Sequence, residues 1–262
     1  MLSRSAVAID WVEIPAGKLL RGTPLEQVDA VARAHADIAV QRGWICKEAP
    51  RSEVDVGAFA ISRTPITVAQ WRLFAAQSGC FGVGGGLAVD HPIDGVSWEQ
   101  ASSFCRWLSK QAGFAVRLPT ETEWERAARG DDEREYPWGD RYASGCGNLA
   151  DLNIGHTTAV GSFPRGASPF GVLDLAGNVD EWTASLYAPY PGAPPDVPAR
   201  ETWAKDPHIT RGGGFLHHRD LARCARRHGL YRPQLGAGFR IARAIAEPAP
   251  SVTHGSARSP QA

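Results

Sequence analysis

RGGGFLHHRDLARCARR, residues 211–227, closed by GFR at 238–240, is the stretch on which the reading of this chain turns. Gly-rich turns flank short apolar runs on both sides of it, so 209–216 and 237–243 read as strands. Between them stand adjacent histidines and a set of arginines, side chains that can ligate, titrate or hold anions. Any chemistry is therefore expected to centre on the segment from Arg211 to Arg240.

Outward from this segment the chain alternates helices, strands and long loops, the pattern of an α+β domain. Residues 10–22 read as a strand pair turning at Gly17, and 55–62 alternates like a single strand. Residues 24–40 have helical spacing through Leu25, Val28, Val31 and Ala34. Thr67 caps a helix over 67–77, and Ser97 caps a second with Trp98, Ala101, Phe104, Cys105 and Leu108 on one face. Thr120 with Glu123 is a capping box that opens a third helix, stopped by Gly130. The stretch 80–90 is a Gly-rich loop. It does not precede a helix, which removes a phosphate cradle. Residues 1–246 read as one domain, and the Pro/Ser/Ala-rich 247–262 as a disordered tail.

Composition bounds the rest. Among 262 residues, 28 basic and 28 acidic side chains cancel, which removes a whole-chain electrostatic case for nucleic acid or an anionic membrane. Neither a signal-peptide run nor an apolar stretch of membrane-spanning length is evident, so a cytoplasmic protein is expected. The five cysteines are odd in number, widely spaced and never CxxC, which suggests neither a disulfide framework nor a zinc cluster. No pattern in the chain speaks to oligomeric state.

Five segments stand in order: GVSWEQASSFCRWL (95–108), RLPTETEWERAARG (117–130), YPWGD (136–140), GVLDLAGNVDEW (171–182) and RGGGFLHHRDLARCARR with GFR (211–240). Together they resemble the formylglycine-generating enzyme superfamily. That group includes ergothioneine-pathway sulfoxide synthase domains and pyoverdine-maturation oxidoreductases. The resemblance implies a C-type-lectin-like α+β fold. It implies a pair of copper-binding cysteines after RGG, but this chain has His217 at the first position and lacks the second. Thiolates suit low-valent copper, whereas imidazole suits iron, copper(II), zinc or nickel. A standard formylglycine generator is therefore not expected. The expectation is a metal-dependent oxidoreductase or oxygenase, with non-haem iron or copper, acting on a small-molecule or carrier-bound metabolite. A non-catalytic ligand-binding or accessory protein on the same fold is the alternative.

The candidate residues follow from this. His217, His218 and His228 are candidate metal ligands, with His156 a distant fourth, and His217 or His218 could instead be a base. On a strand, the adjacent pair would face opposite sides. Arg219 and Arg226 are expected to contact substrate, and Arg232 could join them. Arg223, Arg227 and Arg240 match family positions that fix loops. The resemblance also implies a structural calcium site of Asp174, Gly177, Val179 and Glu181, a mixed carboxylate and carbonyl set that suits a hard cation. A second calcium position, near Asn148, Leu149 and Asn153, has a weaker donor set. Asp180 replaces the usual family tryptophan. By the same resemblance, Cys105 and Cys224 occupy half-cystine positions whose partners are Ile241 and Ala128, so buried free thiols are expected. Trp124 and Trp138 are expected in the core. The unfamiliar segment 24–50 is read as a surface insertion, although Trp44, Cys46 and His35 could cover the cleft.

Overall fold

The computed structural model describes residues 7–84, 86–198, 207–229 and 236–245. The expected tail and Arg232 lie outside them. The architecture is α+β, with fourteen α and β elements among the described residues: β1 Trp11–Ile14, β2 Gly17–Arg21, α1 Val28–Ala34, α2 Arg42–Cys46, β3 Ser52–Val56, β4 Phe59–Ser62, α3 Val68–Ser78, α4 Trp98–Ala112, α5 Glu121–Arg129, β5 Asp180–Leu186, β6 His208–Arg211, β7 His228–Gly229, β8 Ala237–Phe239 and β9 Ala242–Ala244.

The three long helices begin as their caps dictate. Thr67, Ser97 and Thr120 each close a full capping box, with Gln70, Gln100 and Glu123 as reciprocal partners. Helices α3 and α4 press Trp71, Phe74 and Phe104 against Phe239 and Trp182 in one buried cluster. Trp124 of α5 sits in a second cluster with Val12, Phe59, Leu175 and Cys224. Trp138 departs from its expected core role: it is half-buried and stacks on Tyr136 at 5.2 Å.

The strands pair differently from the local reading. β1 and β2 are consecutive but do not form a hairpin. β1 pairs with β4 (Trp11↔Ser62) and β2 with β3 (Gly17↔Val56). The expected single strand 55–62 is two strands in different sheets. Strand order is β1-β4-β9 in one sheet and β7-β6-β5-β8 in another, where β5 and β8 run parallel. The expected strand 209–216 ends at Arg211, because Gly212 (φ 89°) and Gly213 (φ 67°) turn the chain out of the sheet. An added Cβ on Gly213 would also lie 2.8 Å from Leu221 Cβ, so a side chain there would be both strained and crowded.

The largest correction concerns 24–50. The helical spacing there resolves into α1 and two single 3-10 turns, with Ala39 in left-handed backbone ending the run. The segment packs on a small core of its own, and many of its other residues are exposed. Val28, Ile45, Cys46 and Ala49 are fully buried in a cluster of their own. Burial of Val28 and Ile45 contributes on the order of 1.5–3 kcal/mol each. Cys46, Cys80, Cys105, Cys146 and Cys224 are all free, and burial pushes both Cys105 and Cys224 up to about 12. These two are the buried thiols that the sequence leads one to expect.

Candidate functional site

The glycine segment is held at both ends by buried arginines. Arg211 is fully buried and donates to Glu121 Oε2 (3.2 Å), Glu125 Oε2 (3.0 Å) and the Cys224 carbonyl (2.9 Å). Arg240 grips Glu181 with two nitrogens at 2.6 and 2.7 Å and also reaches the carbonyls of Leu173 and Asp174. Arg227 donates to Glu121 Oε1 (2.8 Å) and the Ala188 carbonyl (2.9 Å). Arg223 pairs with Glu48 and Glu135, both reached through fully buried guanidinium nitrogens. Arg223, Arg227 and Arg240 thus fix loops as framework residues, through charge-assisted hydrogen bonds.

The loop they frame brings His217, Asp220, Arg226 and His228 together. The His217 and His228 rings lie 5.8 Å apart. His217 Nδ1 accepts the Gly214 backbone N–H at 2.9 Å. Burial lowers its proton affinity, and Arg226 lowers it further against the opposing pull of Asp220. A neutral ring whose Nδ1 accepts must carry its proton on Nε2, so His217 presents an N–H donor. His228 is held well below the usual histidine range, by burial first and then by Arg226, His217 and Lys47. His218 is exposed, so the adjacent histidines do diverge, but from a turn instead of a strand. His156 stands elsewhere, stacked on His91 with its Nδ1 donating to the Thr157 carbonyl.

Segment 24–50 covers this loop, and the arginines expected on substrate are what hold it there. Arg219 pairs with Asp37 at 2.5 Å and reaches the Ala34 carbonyl, so its partner is the covering segment. Arg226 Nη1 reaches the Trp44 carbonyl (3.4 Å), and Arg227 Nη1 the Lys47 carbonyl (3.3 Å). Like Arg211 and Arg227, Arg226 leaves its Nε unbonded, and Asp220 Oδ2 is 3.6 Å away. Beneath the loop, Asp180 is buried, and its Oδ1 is also without a partner. Burial pushes Asp180 up to about 7. Sequence reasoning passed over Asp220 and Glu48, and noted Asp180 only as a replacement for the usual family tryptophan. The RDLARCARR string, with one acid among four arginines over 219–227, offered Asp220 as its only carboxylate.

The donor sets expected for metals are otherwise engaged. Both Glu181 oxygens accept from Arg240, and Oε2 also accepts from Trp124 Nε1 (2.8 Å). Asp174 Oδ2 accepts the Gly161 N–H (2.6 Å), and burial pushes the group up to about 6. The guanidinium of Arg240 is thus the cation that this loop surrounds, and the Asp174–Gly177–Val179–Glu181 set does not fit calcium. At the second position Asn148 Oδ1 is a buried acceptor without a partner, a single open oxygen where calcium takes six to eight. Among the described residues no three His, Cys, Asp or Glu side chains cluster as a metal site. His217, His218 and His228 do not fit one either: His217 presents a proton, His218 points to solvent, and among the described residues no third ligand stands beside His217 and His228.

This frame has known relatives. Residues 3–245 match the sulfatase-modifying factor enzyme 1-like domain, and the chain belongs to that family. It is similar to the hercynine oxygenase of Mycolicibacterium thermoresistibile, at 30% identity over 82% of this chain and 58% of that protein. It therefore spans little more than half the length of that relative. The formylglycine-generating enzyme of Mycobacterium tuberculosis is 32% identical over 60% of each chain. Among solved structures, PvdO from Pseudomonas aeruginosa superposes with a TM-score of 0.71 at 26% identity, over 90% of this chain and 94% of that one. Among the described residues no helix is long and apolar enough to cross a membrane.

Proposed function

We propose that this chain is an oxygenase- or oxidoreductase-type member of its family. It acts on a small-molecule or carrier-bound metabolite at the His217–Asp220–Arg226–His228 loop, and it does not convert a peptide cysteine to formylglycine. The observation that carries this reading is the state of His217. It stands where the family places a copper thiolate, and its ring is tied through Nδ1 to the Gly214 N–H. The one cysteine of the segment, Cys224, is fully buried and held protonated. Neither group supplies the soft, charged sulfur that low-valent copper takes. The similarity to hercynine oxygenases supports oxygenase chemistry on a small molecule.

Iron or copper belongs to this reading as an expectation of the family. Among the described residues no donor set fits it. What the chain's own residues do is orient and exclude. His217 offers Nε2–H, His228 stays uncharged, and segment 24–50 shields the loop from water. Copper(I) with a CxPxR peptide tests the negative half, because aldehyde formation would refute it. Metal analysis of untagged protein tests the redox half: stoichiometric iron or copper supports an oxidoreductase. The lack of a three-ligand cluster favours a second reading, a non-catalytic binding protein, which predicts no redox metal and no turnover.

A further inference from the structure

We propose that residues 24–47 form a hinged flap over the 217–228 loop, fixed at a neck beside Glu48 and released at a tip beside Asp37. The flap serves the site proposed above and rests on that reading only for its purpose. β2 and β3 pair antiparallel from Gly17↔Val56 to Arg21↔Ser52, so the whole of 22–51 is an insert at the open end of one hairpin. Its two stems meet again at once. The Thr23 N–H donates to the Glu48 carbonyl (2.8 Å), and the Thr23 hydroxyl to Glu48 Oε2 (2.9 Å). Gly22, in left-handed backbone, passes so close that an added Cβ would collide with the Glu48 carbonyl oxygen. Beyond this neck the segment carries its own apolar cluster, whose members from elsewhere in the chain are Ala193 and Val197 of the loop after β5. Among the described residues none of 217–228 belongs to that cluster.

The face laid on 217–228 is polar instead, and its hold weakens from neck to tip. At the neck, fully buried Glu48 accepts two bonds from Arg223 (2.8 and 3.0 Å), and the Gly22 N–H donates to buried Glu125 (2.8 Å). Midway, Arg227 reaches the Lys47 carbonyl at 3.3 Å and Arg226 the Trp44 carbonyl at 3.4 Å, both longer than the usual range of such bonds. At the tip, Arg219 pairs with exposed Asp37, and the Tyr136 hydroxyl meets His35 Nε2 at 3.3 Å. A buried two-point pair is costly to part, whereas an exposed pair and long hydrogen bonds exchange for water at little cost. Polar interfaces without a shared core are those about which parts of a chain move. Opening therefore starts at the tip and turns about the neck.

Arginine modification by phenylglyoxal, read residue by residue by mass spectrometry on the full chain, tests this. Arg33 is exposed on the flap, Arg226 is 5% exposed beneath it, Arg223 is fully buried at the neck, and Arg240 is fully buried in the body. Arg226 is expected to react more slowly than Arg33 and at least about tenfold faster than Arg223 or Arg240, because sub-global opening is more frequent than global unfolding. Asp37→Asn combined with Tyr136→Phe removes the tip contacts. It should speed Arg226 about threefold or more and leave Arg223 and Arg240 unchanged. The proposal is overturned if Arg226 reacts no faster than Arg240, since the cover then lifts only when the whole chain unfolds. It is also overturned if Arg226 matches Arg33, or if the double variant speeds Arg226, Arg223 and Arg240 alike or none of them. Should that variant fail to fold, the ranking of the four arginines in the parent chain decides. Metal content and turnover separate this from the reading on which it rests. A protein without redox metal or turnover whose Arg226 keeps its intermediate rank refutes that reading and keeps the hinge, while a static cover refutes only the hinge.

Discussion

Asp180→Asn should make this protein more stable at pH 8 and leave it unchanged near pH 4. Asp180 is fully enclosed beneath the glycine turn, and burial lifts it from 3.8 to about 7. The contacts agree with a neutral acid. The Thr210 hydroxyl lies 3.0 Å from Asp180 Oδ2 and 3.2 Å from the His228 carbonyl oxygen. It has one proton, and a carbonyl only accepts. Both contacts are satisfied when Asp180 donates to Thr210 and Thr210 donates to the carbonyl. A folded-state proton affinity above the unfolded one stabilises the fold at low pH. That contribution is complete below about 4 and is lost as pH rises through about 7. At about 1.4 kcal/mol per pH unit, the gap amounts to roughly 4 kcal/mol as an upper bound. Asparagine mimics the neutral acid at every pH, so the difference between variant and parent should grow from near zero at pH 4 towards that bound at pH 8. Urea unfolding followed by tryptophan fluorescence at four pH values measures it. A difference that does not change with pH would refute the reasoning, because it would mean that Asp180 titrates alike in both states.

Further outcomes follow from the same network. Glu48→Gln leaves the buried Arg223 without its bidentate partner and should cost about 3–5 kcal/mol, with hydrogen exchange rising first across 24–50. Asp37→Ala breaks a more exposed pair with Arg219 and should leave the unfolding midpoint almost unchanged in the same assay. Glu181→Gln should destabilise by a few kcal/mol through Arg240, whereas a chelator should leave the melting temperature of the parent unchanged; a chelator-induced fall would restore a calcium site to this loop. Cys105 and Cys224, both pushed up to about 12, should resist alkylation at pH 8 in the folded protein and react at once in urea.

Much of this protein is written in local sequence. Capping residues name three helix starts, because a cap is a contact between residues three apart in the chain. The ordered motifs name the family, since each is a run of neighbours with its own turn chemistry. Strand pairing was not legible in the same way: Trp11–Ile14 and Gly17–Arg21 look like a hairpin until Phe59–Ser62 and Ser52–Val56 are seen to claim them. The site shows the same division. His217, Arg226 and His228 could be named from the sequence. Which way each faces could not. Arg219 spends itself on Asp37, 182 residues away, and Glu181 on Arg240, 59 residues away. The sequence by itself determined which side chains exist and where helices begin, because those depend on neighbours along the chain. Only the tertiary structure decided which charges are paired with which, because pairing depends on groups that folding brings together from distant parts of the chain.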